Sequence, residues 1–127
     1  MTAGPLKTRT RAFALAVVKL ARSLPSDHAT GALALQLLRS ATSVAANYRA
    51  ARRARTRREF IAKLGIVEEE ADESAFWIEL IADAGIVDKA SVAALLTEAN
   101  ELTAMTVSSI RTARGHPLRA LRSQFRA

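Results

Sequence analysis

The sequence predicts an all-α protein, an antiparallel up-down-up-down four-helix bundle, and three observations lead there. Alanine fills 27 of 127 positions while aromatic residues make up only 5%, a mixture that builds closely packed helices rather than sheets. Apolar residues recur at three- and four-residue steps through four long stretches. The breaks between those stretches are short, and each carries Pro, Gly or a capping residue. A chain of 127 residues has room for one domain with a moderate core. The bundle is assigned to residues 1–114 and a basic tail to residues 115–127.

The first helix is expected over residues 8–23, with Phe13, Val17, Leu20 and Leu24 on one face. Pro25 ends it, and residues 23–31 read as a loop by composition. A second helix follows over about residues 30–51, where Leu33, Leu37, Ala41, Val44 and Tyr48 form one stripe, flanked by Leu38 and Ala45. Ala34, Ala41, Ala45 and Ala46 would let a neighbouring helix approach closely. Thr56, Arg57, Arg58 and Glu59 form a capping-box pattern at the start of the third helix, in which hydroxyl and carboxylate each take an amide that lacks a helical partner. Its buried face is Phe60, Leu64, Val67, Ala71, Ile78 and Ile81, and Gly85 stops it. Asp88 with Ser91 caps a fourth helix, buried along Val92, Leu95, Leu96, Ala99, Leu102, Thr106, Ser109 and Ile110. From Gly115, His116 and Pro117 onward a mobile basic tail is expected, with one short turn at residues 118–121.

The third helix carries more apolar bulk than one core can cover. At about 100° per residue, Ile66, Trp77 and Leu80 fall well away from the Phe60–Ile78 stripe, and Phe76 lies almost opposite it. Four large apolar residues on one helix, the only Trp among them, point to a subunit interface and hence to a homo-oligomer. A closed ring requires different surfaces on the two sides of that contact, because a two-fold patch stops at a dimer.

The chemical inventory is thin. Cysteine is absent, which removes disulfides, thiolate catalysis and zinc–thiolate sites. His28 and His116 each sit beside a helix break rather than among carboxylates at ligand spacing. The acidic residues Glu68, Glu69, Glu70, Asp72 and Glu73 lack the Glu-x-x-His spacing of a di-iron bundle, so they are expected to meet arginines of a neighbouring helix or subunit, Arg39 and Arg49 being candidates. Asn47 is expected to bond a backbone group at a tight helix crossing. No catalytic residue, metal ligand or cofactor is assigned. The apolar run Ala12–Val18 follows Arg9 and Arg11 but is cut short by Lys19, too brief for a membrane span or a secretion signal, and a cytoplasmic location is expected.

Charge is the informative property. Lys and Arg number 19 against 12 acids, a net charge of +7, and 15 of the cations are arginine. An up-down-up-down bundle places the start of its first helix, the junction of its second and third, and the end of its fourth at the same pole. Lys7, Arg9 and Arg11 come from the first region, and Arg49, Arg52, Arg53, Arg55, Arg57 and Arg58 from the second. Arg111, Arg114, Arg119, Arg122 and Arg126 come from the last, so 14 of the 19 cations converge. The only carboxylate near these runs in sequence is Glu59. Contact with RNA or DNA backbone fits this pattern, and without aromatic residues interleaved among the cations there is no stacking platform for base readout. Docking of an acidic protein partner is the competing reading, and a composition effect on solubility the plain one.

One stretch carries a family likeness. Ser43, Val44, Ala45, Ala46 and Asn47 match a Ser-(Val/Ile)-(Pro/Ala/Gly)-Ala-Asn pattern late in the second helix. Arg52, Arg53, Arg55, Glu59 and Phe60 match an Arg-rich turn followed by a Glu-Phe pair, and the acidic residues 68–73 complete it. The segment resembles the four-helix-bundle family that includes proteins encoded by intervening sequences of bacterial 23S ribosomal RNA genes, which is similar in turn to the accessory protein of diversity-generating retroelements. The similarity runs from about residue 13 to residue 110 and is most specific between residues 40 and 77. Ala50 stands where family members commonly carry Glu, which leaves this turn more basic. The resemblance implies an antiparallel bundle assembled as a ring-shaped homopentamer, a basic channel and rim connected with nucleic-acid binding in the retroelement branch, and no catalytic activity.

Overall fold

The computed structural model describes residues 5–115. Its helices are α1 (Leu6–Ser23), α2 (His28–Arg52), α3 (Arg57–Asp83) and α4 (Lys89–Gly115), and there is no strand among the described residues. Broad faces join α2 to α3 and α3 to α4, a smaller one joins α1 to α2, and a narrow seam between α1 and α4 closes an up-down-up-down bundle. At about 1.5 Å per residue α1 is roughly 27 Å long and the other three roughly 37–40 Å, so α1 falls short of its neighbours. Gly115 closes α4 rather than opening the tail. His116, Arg119, Arg122, Arg126 and the turn expected at residues 118–121 lie outside the described residues.

Local chemistry sets the helix ends. α1 starts two residues earlier than periodicity indicates, because the Pro5 carbonyl accepts the Thr8 and Arg9 amides at 2.9 and 3.2 Å. α2 also starts early. Asp27 caps it by accepting the Thr30 amide at 2.9 Å and the Thr30 hydroxyl at 2.8 Å, inside the stretch whose composition reads as a loop. The expected capping box is present on α3: Thr56 Oγ1 accepts the Glu59 amide at 3.0 Å, and the Glu59 carboxylate reaches back to the Arg55 amide at 3.4 Å. At its other end Gly85 adopts φ 77° while the Ile86 amide bonds the Ile81 carbonyl and the Gly85 amide bonds that of Ala82, a Schellman stop. The start of α4 departs from expectation. The Asp88 carbonyl, not its carboxylate, receives the Ser91 amide and hydroxyl, at 3.0 and 2.7 Å.

α3 is the spine of the core. Phe60, Leu64, Val67, Ala71, Ile78 and Ile81 are all essentially closed to solvent and meet Leu37, Ala41 and Val44 of α2 and Val92, Ala99 and Leu102 of α4 in one cluster. Phe13 and Val17 bring α1 into it. Buried hydroxyls are satisfied: Thr10 bonds the Leu6 carbonyl and Thr106 that of Leu102, each at 2.7 Å. Ser40 and Ser74 meet across the α2–α3 contact with their hydroxyls 2.9 Å apart, and each also reaches a carbonyl of its own helix, Leu37 and Glu70.

Two outcomes follow from these contacts. Ser74→Ala should cost about 1 kcal/mol in urea unfolding, whereas adding Ser40→Ala should cost less than a second such increment, since no lone hydroxyl is then left in the interface. Asp27 is held in its carboxylate form, its pKa below the ordinary 3.8, chiefly by the Thr30 amide and then the Thr30 hydroxyl. A depressed native pKa means the cap contributes fully above about pH 4 and is lost as pH falls through the native value. Asp27→Asn keeps an acceptor without a titration, so its melting temperature should fall less than that of the wild type between neutral and strongly acidic pH.

Candidate functional site

The α2–α3 turn packs six arginines into ten residues, with Arg49 and Arg52 on the last turns of α2, Arg53 and Arg55 in the turn, and Arg57 and Arg58 opening α3. Arg49, Arg53, Arg55 and Arg58 are exposed, while Arg52 and Arg57 are half-buried. Glu59, whose carboxylate accepts the Arg55 amide at 3.4 Å in the helix cap, forms no ion pair with them among the described residues. α4 runs back to this end of the bundle, with Arg111 and Arg114 exposed on its last turns.

Beside the turn lies a slot of about 550 Å³ between α1 and α2. Lys7 and Arg11 from α1, Arg49 and Arg52 from α2 and Arg53 from the turn line it, with no carboxylate among the lining residues. Ala14, Leu15, Val18, Thr42, Ala45 and Ala46 continue it as an apolar channel. Tyr48 forms part of the wall. Burial pushes its hydroxyl above the ordinary value of 10.0, and the Arg52 charge offsets part of that rise.

Arg9, a predicted contact residue, is turned inward by the fold against α4. Its Nε meets Glu98 Oε2 at 2.9 Å and its Nη2 meets Glu101 Oε1 at 2.6 Å, with Nη2 also bonded to Glu98 Oε1. Hydrogen bonds from Glu98 first and Glu101 second push the guanidinium pKa up, so it stays charged. The expectation that only Glu59 lies near the basic runs is therefore corrected, because α1 stops short and its first turn faces the middle of α4. Arg111 and Arg114, ten residues or more beyond Glu101, lie further along the bundle.

The other predicted residues divide. Phe76 is 53% exposed and Ile66 and Leu80 are each 36% exposed, as the angular count requires. Trp77 is different: it is half-buried against the core, stacks edge-on with Phe76 at 4.9 Å and donates from Nε1 to Glu73 at 3.2 Å. Leu15 and Leu35, 51% and 53% exposed, escaped the sequence reading. Leu15 sits in a continuous apolar run, and only the same angular count applied to α1 would have set it apart from Phe13 and Val17. Asn47 bonds the Ser43 carbonyl at 3.0 Å and the Ser43 hydroxyl at 2.9 Å, one turn back in its own helix rather than across a crossing. No ion pair within the chain reaches Glu68, Glu69, Glu70, Asp72 or Glu73 among the described residues, so Arg39 and Arg49 of the same copy are not their partners. Nor, among those residues, is there a cluster of three His, Asp or Glu placed to hold a metal ion, or a helix long and apolar enough to cross a membrane.

A family model described as 23S rRNA-intervening sequence protein matches residues 6–108, from the first residue of α1 to the penultimate turns of α4. The chain belongs to that family. A crystal structure of a protein of unknown function from the S23 ribosomal protein family of Bacteroides thetaiotaomicron is similar over the same bundle, with a TM-score of 0.79 and 31% identity, covering 84% of this chain and 99% of that one. No curated protein matches the sequence. The family match includes the Arg-rich turn and the slot but ends before Arg111 and Arg114.

The inward fork has a measurable consequence. Arg9→Ala should lower stability by about 2 kcal/mol, because both acceptors keep their charge and one of them, Glu98, is largely covered. Glu101→Ala, which removes a carboxylate side chain itself 54% exposed to water, should cost less than about 1 kcal/mol. Urea midpoints at unchanged slope separate the two.

Proposed function

We propose that this family member is a non-enzymatic, self-associating helical scaffold that holds nucleic-acid backbone at the arginine-rich end of its bundle. The observation that carries this reading is the α2–α3 turn, where four exposed guanidiniums lie within ten residues and the one nearby carboxylate is held in a helix cap. Arg111 and Arg114 extend the same end from α4. Guanidinium forks match phosphate oxygens in pairs, and the aromatic residues closest in sequence, Tyr48 and Phe60, are buried and offer bases nothing to stack on. Contact with backbone rather than with base edges is what such a surface supports. The family's name ties its relatives to 23S rRNA, which makes a structured RNA the first ligand to try. The exposed apolar residues of α3 support self-association, and the family resemblance supplies the ring of five.

Reversing Arg53, Arg55 and Arg58 to Glu tests the reading on residues that take no part in the core. Binding of a structured RNA should weaken roughly tenfold or more, and the slope of log affinity against log salt should become shallower by about 2–3. The far-ultraviolet spectrum should not change. Wild-type protein that fails to retain RNA or DNA at low salt sinks the reading, and recovery of a stoichiometric acidic protein that survives nuclease would replace it with the docking alternative.

A further inference from the structure

We infer that the end of α4 adds a second row of phosphate contacts to that of the α2–α3 turn, so that this pole holds the backbone of a double helix across a narrow groove rather than a single strand. The inference rests on the backbone contact proposed above and names the class of nucleic acid that the site takes.

The second row follows from helix lengths and angles. α3 and α4 each have 27 residues and are joined by a short turn, so their far ends are level. Arg58 then stands opposite Arg114, and Arg111 lies one turn further in. At about 100° per residue, Arg111 and Arg114 fall on the flank of α4 away from Glu98, which faces the groove between α1 and α4. That flank looks toward α3, and both arginines on it are exposed. No carboxylate interrupts the surface beyond Glu59: the last acid of α4 is Glu101, and the next on α3 is Glu68. The turn group of Arg53, Arg55 and Arg58 and the α4 group therefore stand on neighbouring helices, whose axes pack about 8–10 Å apart.

The form of the ligand follows from what this end offers. Single strands are held without sequence preference by cations together with aromatic rings on which the bases stack. Here Tyr48 and Phe60 are buried, and the exposed Phe76 lies about 27 Å further along α3 than Arg58. A duplex keeps its bases stacked inside and presents phosphates in two rows that face each other across a narrow groove. That groove is the minor one, about 6 Å wide, in B-form DNA and the deep major one in A-form RNA. Two arginine groups one helix spacing apart can each take one row without entering the groove, which agrees with contact that reads no base edges. The family match ends at Ser108, so the turn group lies inside it and the α4 group beyond it. The second row is thus a property of this chain that the family match does not describe.

The test compares an RNA duplex, a DNA duplex and an oligouridine strand, all with the same number of phosphates, at about 50 mM salt. At least one duplex should bind about tenfold more tightly than the single strand. Arg111→Gln with Arg114→Gln should weaken duplex binding by about tenfold and make its slope of log affinity against log salt shallower by about 2, while single-strand affinity stays within about twofold and the helical spectrum is unchanged. Preference for the RNA duplex identifies the A-form major groove as the one spanned, and preference for the DNA duplex the B-form minor groove. The inference is overturned if the single strand binds as tightly as both duplexes, or if the double Gln variant leaves the duplex slope unaltered. Protein that binds none of the three ligands sinks the backbone reading itself, so the two failures are distinguishable.

Discussion

α3 has to serve two neighbours at once, and the rest of the bundle is arranged around that constraint. Its face from Phe60 to Ile81 is closed by α2 on one side and α4 on the other, so neither can shift without opening the core. The Ser40–Ser74 pair fixes the axial register of α2 against α3, since a slide of one turn would leave two hydroxyls buried among apolar groups without each other. α1 is then added to a three-helix platform. It is the shortest helix, it starts with cations at the positive end of its own dipole, and it has no capping side chain. The Arg9 fork to Glu98 and Glu101 places two carboxylates where that dipole and those cations need them, and so connects the weakest helix to the platform.

The placement of charge costs stability at one point and gains it at others. Arg49 and Arg52 on the last turn of α2, and Arg114 on that of α4, oppose the negative ends of those helices and are favoured there. Arg57 and Arg58 stand at the positive end of α3, where cations are disfavoured, and Glu59 is the only acid in that first turn. The positive end of the α3 dipole and the guanidiniums direct positive potential outward from this turn, opposed in part by the carbonyl end of α2. Like charges held this close repel one another, a repulsion that an anion placed at the turn would relieve.

Much of this was legible in the sequence because it is local. The third helix announces itself by Thr56 and Glu59, its stop by Gly85, and its outward apolar residues by simple angular counting. What escaped was either hidden by composition or required register between distant segments. Asp27 lies in a stretch of Ser, Pro and Asp that reads as a loop, although an acid three residues ahead of Thr30 is a cap signal in its own right. Leu15 is camouflaged by apolar neighbours on both sides. Arg9 and Glu98 are 89 residues apart, and only the short length of α1, which Pro5 and Pro25 set, brings its first turn opposite the middle of α4. The acidic residues of α3 were expected to find arginines on a neighbouring helix or subunit; the bundle leaves the first option unfilled.

Fifteen of the cations are arginine, and among the described residues several of them stand in three distinct environments. At Arg9 the planar fork matters directly, because one guanidinium meets two carboxylates along different edges, which a lysine ammonium cannot do in the same geometry. In the slot, Arg11 and Arg49 stand on alanine and leucine surface, where the weakly hydrated guanidinium loses less on being covered than an ammonium would. At the turn, Arg53, Arg55 and Arg58 face water and are free to fork onto phosphate. A genomic preference for arginine codons would scatter such residues over all faces. Among the described residues the acids on the outward stripe of α3 stand apart from the arginines of the α2–α3 turn and of the slot, and it is this segregation, rather than the net charge, that gives the surface its distinct faces.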